Sequence, residues 1–133
     1  MVKATLGKQL MISVGNRVGA LAEASSLVSD AGINLVAVCA YVIDNKGFIL
    51  FVTEDNEKAK NILKAKKYDV REEDVIIVTL SNKPGTLKSV TEKIANAGID
   101  LTLLYGSVEE KGKTSKVVLV SENNELAYAA IKE

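Results

Sequence analysis

The feature that most constrains this 133-residue chain is a duplication inside it. Without gaps, residues 16–35 and 82–101 share Asn, Gly, Leu, Ala, Gly, Ile and Leu at matching places, where ordinary composition gives about one or two matches by chance. The two copies open with Asn16-Arg17-Val18-Gly19-Ala20-Leu21 and with Asn82-Lys83-Pro84-Gly85-Thr86-Leu87. A repeat of this kind predicts two structural units of one design, each with the same loop leading into a helix.

Hydrophobic periodicity assigns the elements of each copy. Apolar residues predict strands over 9–14, 35–43 and 48–53 in the first copy, and over 75–80, 101–108 and 116–121 in the second. Helical spacing follows each loop, at Leu21, Ala24, Val28 and Ala31 and at Leu87, Val90, Ile94 and Ala97. Polar turns at 44–47 and 109–112 predict hairpins, and second helices begin near Asn56 and Asn124, where a capping residue type is followed by an acid.

These elements predict an α+β fold made of two ferredoxin-like β-α-β-β-α-β domains, with antiparallel sheets and helices on one face. A short strand over 68–71 completes the first domain, so the expected boundaries are 1–72 and 73–133. The second domain lacks an obvious final strand. Either that edge is bare, or a segment such as residues 2–6 covers it, and the second arrangement is favoured because exposed sheet edges are usually covered.

Composition excludes several classes of function. Lys plus Arg equals Asp plus Glu at 17 each, which gives no field that attracts nucleic acid or anionic lipid. The single Cys39 and the absence of His exclude an internal disulfide and a Cys/His metal site. The longest apolar run, residues 35–43, is too short for a membrane span, and no signal peptide is evident. We expect a cytoplasmic protein with no cofactor.

The duplicated pattern of strand, Asn-x-x-Gly-x-Leu, helix, Ala-Gly-Ile-Asn/Asp-Leu and strand resembles the ACT domain, a regulatory module that binds amino acids. Two copies without an attached enzyme resemble the stand-alone double-ACT proteins. The second loop is the more typical, because Val18 stands where the family usually has a proline, as at Pro84. The resemblance implies non-catalytic binding of a small ligand, often an amino acid, between this loop and the sheet edge of a neighbouring domain or subunit. Carried onto this chain, the implied ligand-binding residues are Asn16, Arg17, Val18, Gly19, Ala20, Leu21, Asn82, Lys83, Pro84, Gly85, Thr86 and Leu87.

Physical chemistry supports a ligand at these loops. A helix N-terminus offers free N–H groups and partial positive charge, and Gly19 and Gly85 let a ligand approach the backbone. Asn16 and Asn82 can present an amide to an amino acid. Asn34 and Asp100, which follow the helix-ending glycines, are further candidates, since the Asp100 carboxylate can bind an ammonium group.

Each of these residues also has a purely structural interpretation. The glycines and the two loop asparagines can serve only to shape turns, and Asn34 and Asp100 can bond to nearby backbone. Arg17 and Lys83 are the residue types that solvent usually surrounds. Cys39 fits a small core residue, and Tyr41 and Tyr105 fit packing positions.

Three functions are weighed. The first is a regulatory protein of amino-acid metabolism that binds a small molecule, with an allosteric response and a homodimer formed through the apolar edge strand 35–43. The second is a ligand-independent interaction protein or regulatory subunit of an amino-acid biosynthetic enzyme. The third, an enzyme, is disfavoured because the sequence has no His, no metal-ligand cluster and no phosphate-binding G-x-x-x-x-G-K-[ST] loop.

Overall fold

A computed structural model of the chain describes residues 2–107 and 113–132. The expected α+β fold with antiparallel strands is confirmed. The elements in chain order are β1 (Val2–Gly15), α1 (Ala20–Asp30), β2 (Leu35–Ile43), β3 (Lys46–Thr53), α2 (Asn56–Ala65), β4 (Asp69–Ser81), α3 (Thr86–Asn96), β5 (Leu101–Gly106), β6 (Thr114–Ser121) and α4 (Asn124–Lys132).

The first unit comprises Lys8–Glu73. Its strands lie in the order β2-β3-β1-β4, with β3 antiparallel to both β1 and β2. Alternate residues of β1 and β3 point toward the helices and meet the buried faces of α1 and α2, as the period of two in a strand requires. The core formed in this way contains Leu10, Ile12, Ala24, Val28, Ile33, Ile49, Phe51, Ala59, Leu63 and Val70.

The second unit comprises Met1–Gly7 together with Asp74–Glu133. Its strands lie in the order β5-β6-β4-β1, with β6 antiparallel to both β4 and β5. The core repeats the first, with Ile76, Val78, Leu80, Val90, Ile94, Ile99, Val117, Leu119, Ala127 and Ile131, and Ala4 packs against it.

Two strands are longer than the sequence predicted, and this changes how the chain divides. β1 begins at Val2 rather than residue 9, and β4 runs without a break through the polar residues Glu72, Glu73 and Asp74. Residues 2–7 group with the second half of the chain, as expected for a segment that covers the edge of the second domain, although the predicted range 1–72 includes them in the first. They lie beside β4 at the place of the missing final strand, where the Thr5 hydroxyl donates to the Ile77 carbonyl at 3.5 Å.

The remaining elements lie close to their predicted positions. β2 has its predicted bounds, and α2 and α4 begin at Asn56 and Asn124. The turn between β2 and β3 places Asp44 and Asn45 at φ 50° and 63°, the left-handed values of a tight hairpin turn. The predicted end of a strand at Val108 and the predicted hairpin at 109–112 lie outside the described residues.

Candidate functional site

The loop between β1 and α1 leaves the start of a helix uncapped. Gly19 is the N-terminal flanking residue of α1 at φ 88°, a left-handed conformation that glycine adopts without a Cβ clash, and no side chain of the described residues caps this end. The first internal bond is donated by the Glu23 N–H to the Gly19 carbonyl at 2.9 Å. The N–H groups of the first turn, such as those of Leu21 and Ala22, have no helical partner by geometry and point out of the helix end.

A cavity of about 200 Å³ lies against this loop, inside the first unit. Its walls come from the end of β1, the first turn of α1 and the β2–β3 hairpin. They are mostly apolar, with two polar side chains from the loop itself. The lining residues are Val14, Gly15, Asn16, Arg17, Ala20, Leu21, Ala40, Tyr41, Val42, Gly47, Phe48 and Ile49.

Asn16 joins the loop to the hairpin across the cavity mouth. Its Nδ2 donates to Oδ1 of Asn45 at 3.3 Å, within the first unit. The hairpin comes close at this point because Gly47, opposite Val14 in the sheet, has no side chain. A Cβ at Gly47 would lie 2.8 Å from Val14 Cγ2, so a larger residue there would push β1 and β3 apart or fill the cavity.

Arg17 is held at the cavity wall by two side chains, one near it in the sequence on α1 and one 51 positions away. Its Nη2 lies 3.4 Å from Oε2 of Glu23 on α1 and donates to the Tyr68 hydroxyl at 3.3 Å. Tyr68 in turn donates a short hydrogen bond to Glu23. This bond, with the charge of Arg17, lowers the pKa of Glu23 below its usual value, while partial burial and the Glu23 carboxylate raise the pKa of Tyr68.

The corresponding loop of the second unit enters its helix through a glycine in the same conformation. Gly85 flanks α3 at φ 89°, again without a side-chain cap, and the Asn82 N–H donates to the Lys113 carbonyl at 2.7 Å. Lys83, Pro84 and Leu87 are exposed, and Thr86 is buried against the core side of the helix. Gly85 also borders a shallow groove of about 290 Å³ along the outer side of α3, with Lys88, Ser89, Glu92, Lys93 and Asn96.

The structure does not bring every predicted site residue to the cavity. Asn16, Arg17, Ala20 and Leu21 line it, whereas Val18 is fully exposed and Gly19 shapes the helix start. Asn34 and Asp100 lie at the other end of their helices. The Asn34 Nδ2 donates to Glu54 at 3.4 Å, and the Asp100 N–H donates to Oε1 of Glu122 at 3.2 Å.

Several residues at the cavity were not predicted to be site residues. Ala40, Tyr41 and Val42 come from β2 and Gly47, Phe48 and Ile49 from β3; of these, only Tyr41 was considered, and as a packing residue. The Tyr41 and Phe48 rings do contact each other, with centroids 5.4 Å apart. Gly47 could have been predicted from the sequence, because a glycine directly after a hairpin turn leaves space beside the opposite strand.

Comparison with known proteins places this geometry in a family. The family model described as "ACT domain pair" matches residues 8–133. The crystal structure of a protein from Bacteroides thetaiotaomicron has a TM-score of 0.89 and 26% identity, over 97% of this chain and 88% of that one. No curated protein sequence matches the chain.

Two solved structures share the fold at lower identity. The regulatory subunit of aspartate kinase from Thermus thermophilus, in its ligand-free form, has a TM-score of 0.67 and 14% identity over 98% of this chain and 94% of that one. That from Thermus flavus has a TM-score of 0.64 and 17% identity over 98% and 94%. Within residues 2–107 and 113–132, no helix has the length and apolar character needed to cross a bilayer.

Proposed function

Because this chain belongs to the ACT domain pair family, we propose that it is a non-catalytic regulatory protein that binds an amino acid in the cavity of the first unit. The observation that carries the proposal is the cavity itself, where apolar walls meet two polar loop residues and a helix N-terminus. Sites for small molecules are usually concave and apolar, with a few polar groups that fix the orientation of the ligand.

The size of the cavity supports a small ligand. Its volume of about 200 Å³ lies below the range of about 300–1,000 Å³ typical of pockets for drug-sized molecules. An amino acid also suits the mixture of groups, because it carries a carboxylate, an ammonium and a side chain on one carbon. The second loop, from Asn82 to Leu87, also leads into an uncapped helix start, but the proposed amino-acid site is the cavity of the first unit.

Regulation follows if ligand binding favours one of two arrangements of the protein. A ligand shifts such an equilibrium only through different affinity for the two states. Regulatory subunits of aspartate kinase have the same fold, so the proposed partner is an enzyme of amino-acid biosynthesis in the cytoplasm. The edge strand β2 supplies a surface for a homodimer.

The first test is a thermal-shift screen of the full chain against the twenty amino acids, followed by titration calorimetry on each hit. A ligand specific for the folded state stabilises it by about 2.7 kcal/mol at a hundred times its dissociation constant. Ala40→Phe, which places a ring in the cavity, should abolish the shift. Ala95→Phe, the same change at an exposed position of α3, should leave it intact.

One outcome separates this proposal from its alternative. If no amino acid shifts the melting temperature, and Ala40→Phe has no other effect on the protein, the proposal that the ligand is an amino acid is wrong. The alternative is a ligand-independent interaction protein, and one feature favours it: β2 ends its sheet and exposes five apolar side chains, those of Val36, Val38, Tyr41, Val42 and Ile43. A Val38→Lys variant, changed on the same strand but outside the cavity, that stays folded but loses a partner enzyme, with or without amino acids, would support that function.

A further inference from the structure

The residues that line the cavity suit some amino acids better than others. Arg17 is the one charged residue among the described residues that line the cavity. Asn16 is the only other residue with a strongly polar side chain near the loop, and the body of the cavity is Val14, Leu21, Val42 and Ile49 with the two rings. A cavity with one cation and apolar walls suits a ligand with one anionic group and an apolar body.

The guanidinium of Arg17 is oriented by its neighbours and still has N–H donors for a ligand. Among residues 2–107 and 113–132, its contacts with Glu23 and Tyr68 both use Nη2, so the N–H donors on Nη1 and Nε remain for a ligand. The side chains of Arg17 and Glu23 are 49% and 52% exposed, and ion pairs so exposed are weak. Glu23 therefore fixes the direction of the guanidinium without competing strongly with a ligand carboxylate.

Two further groups fit the polar end of an α-amino acid. The free N–H groups in the first turn of α1 favour a carboxylate beside Arg17, because the helix dipole is positive at that end. The amide of Asn16 uses Nδ2 to reach Asn45, which leaves Oδ1 as an acceptor for the ammonium. The side chain of such a ligand then lies against the apolar wall.

The second loop and its helix differ from the first at the residues that build this arrangement. Ser89 occupies the position in α3 that Glu23 occupies in α1, so α3 has no carboxylate at the place from which Glu23 orients the cation. Thr86, with a hydroxyl, stands in place of Ala20, and Lys83 stands in place of Arg17. A lysine is a point charge on a flexible stem and does not offer the paired donors of a guanidinium.

We propose that the first unit selects an α-amino acid with an apolar side chain, that Arg17 binds its carboxylate, and that Glu23 and Tyr68 are positioning residues for the guanidinium. This inference rests on the function proposed above and adds the ligand class and the residue that recognises it. The second loop is not a site of this class, so one such ligand binds per chain.

Titration calorimetry on the full chain tests the ligand class with L-leucine, L-isoleucine, L-valine, L-aspartate, L-lysine and L-leucinamide. Apolar amino acids should bind with a stoichiometry of one. L-leucinamide, which keeps the side chain and the ammonium but lacks the carboxylate, should bind about tenfold or more weakly than L-leucine. Binding of L-aspartate or L-lysine alone would overturn the assigned ligand class while leaving the amino-acid function standing.

Three variants test the residues. Arg17→Gln should weaken L-leucine about tenfold or more and remove the preference over L-leucinamide, whereas Arg71→Gln, the same change at an exposed arginine of the first unit, should alter neither. Tyr68→Phe should reduce the preference for L-leucine without changing affinity for L-leucinamide, which a loss of packing alone would not do. If Arg17→Gln keeps the wild-type preference while L-leucine still binds, the role of Arg17 is wrong and the proposed function survives. If no amino acid binds, both fail.

Discussion

At the scale of single residues, Arg17 shows how a site residue is fixed by partners that the sequence does not reveal. Its contacts come from six positions away on α1 and from Tyr68, which is 51 positions away between α2 and β4. The spacing of Arg17 and Glu23 within one loop and helix start was visible in the sequence. The contact with Tyr68 depends on how β4 returns beside β1, and no local pattern encodes that.

The Arg17–Glu23–Tyr68 cluster should make stability depend on pH at both ends of the scale. The pKa of Glu23 is lowered from 4.5, so its contribution is present above that value and is lost as pH falls through the lowered pKa. The pKa of Tyr68 is raised from 10.0, so its contribution is present below that value and is lost as pH rises through the raised pKa.

Urea denaturation from pH 2 to 11 measures both effects. The difference in stability between wild type and Glu23→Gln should shrink on the acid side, and Tyr68→Phe should flatten the alkaline side. Glu72→Gln is the matched comparison, since the pKa of Glu72 is lowered chiefly by its hydrogen bond from Lys60 and involves no tyrosine. It should reproduce the acid effect alone. An alkaline slope unchanged in Tyr68→Phe would contradict the assignment.

At the scale of elements, both α2 and α4 begin with the same clamp. Oδ1 of Asn56 accepts from the Thr53 N–H at 2.9 Å and its Nδ2 donates to the Lys8 carbonyl at 2.9 Å. In the second unit, Asn124 accepts from the Ser121 N–H at 2.8 Å and donates to the Asp74 carbonyl at 2.9 Å. Each asparagine thus fastens a helix start to two strands of its own unit.

The helix starts could be predicted from the sequence, but the bonds made by Asn56 and Asn124 could not. Helix starts near Asn56 and Asn124 were predicted from a capping residue type before an acid, and the helices do begin there. The caps themselves are one residue earlier, because Asp55 accepts from the Lys58 N–H and Asn123 from the Leu126 N–H, each at 3.1 Å. Asn56 and Asn124 instead bond to backbone groups of two strands, and these groups lie near the helix starts only once the sheet has formed.

Asn56→Ala should lower the free energy of unfolding by about 1–3 kcal/mol, because it removes the acceptor of the part-buried Thr53 N–H and the donor to the Lys8 carbonyl. Asn124→Ala should have a similar effect in the second unit. Asn61→Ala, at an exposed position of α2, is the control and should change little. The check is urea denaturation followed by fluorescence or circular dichroism, and equal midpoints for Asn56→Ala and Asn61→Ala would contradict the prediction.

At the scale of the whole molecule, the duplication predicted two units of one design, and the structure describes them with matching elements. Because the second domain lacks an obvious final strand, residues 2–6 were expected to cover its edge, and they do lie beside β4 within the second unit. What was not predicted is that these residues begin one long strand, β1, although residues 2–6 alternate apolar and polar types as a strand does.

Deletion of residues 2–7 should destabilise the second unit selectively. The segment packs Ala4 against the core of that unit and places Gly7 beside Ile77, where an added Cβ would lie 3.1 Å from the Ile77 side chain. Without it, β4 keeps a row of unpaired backbone groups along residues 74–81, and such an edge is prone to aggregation. Hydrogen exchange followed by mass spectrometry should show faster exchange in β4 beyond Asp74 and in β6, with slow exchange retained in β3 of the first unit.

Ala4→Asp, which sets a charge against the same core without removing any residue, should give the same pattern, and Lys3→Ala, at an exposed position, should not. Equal loss of protection in β3 and β6 would mean instead that the two units unfold together and that residues 2–7 stabilise the whole chain.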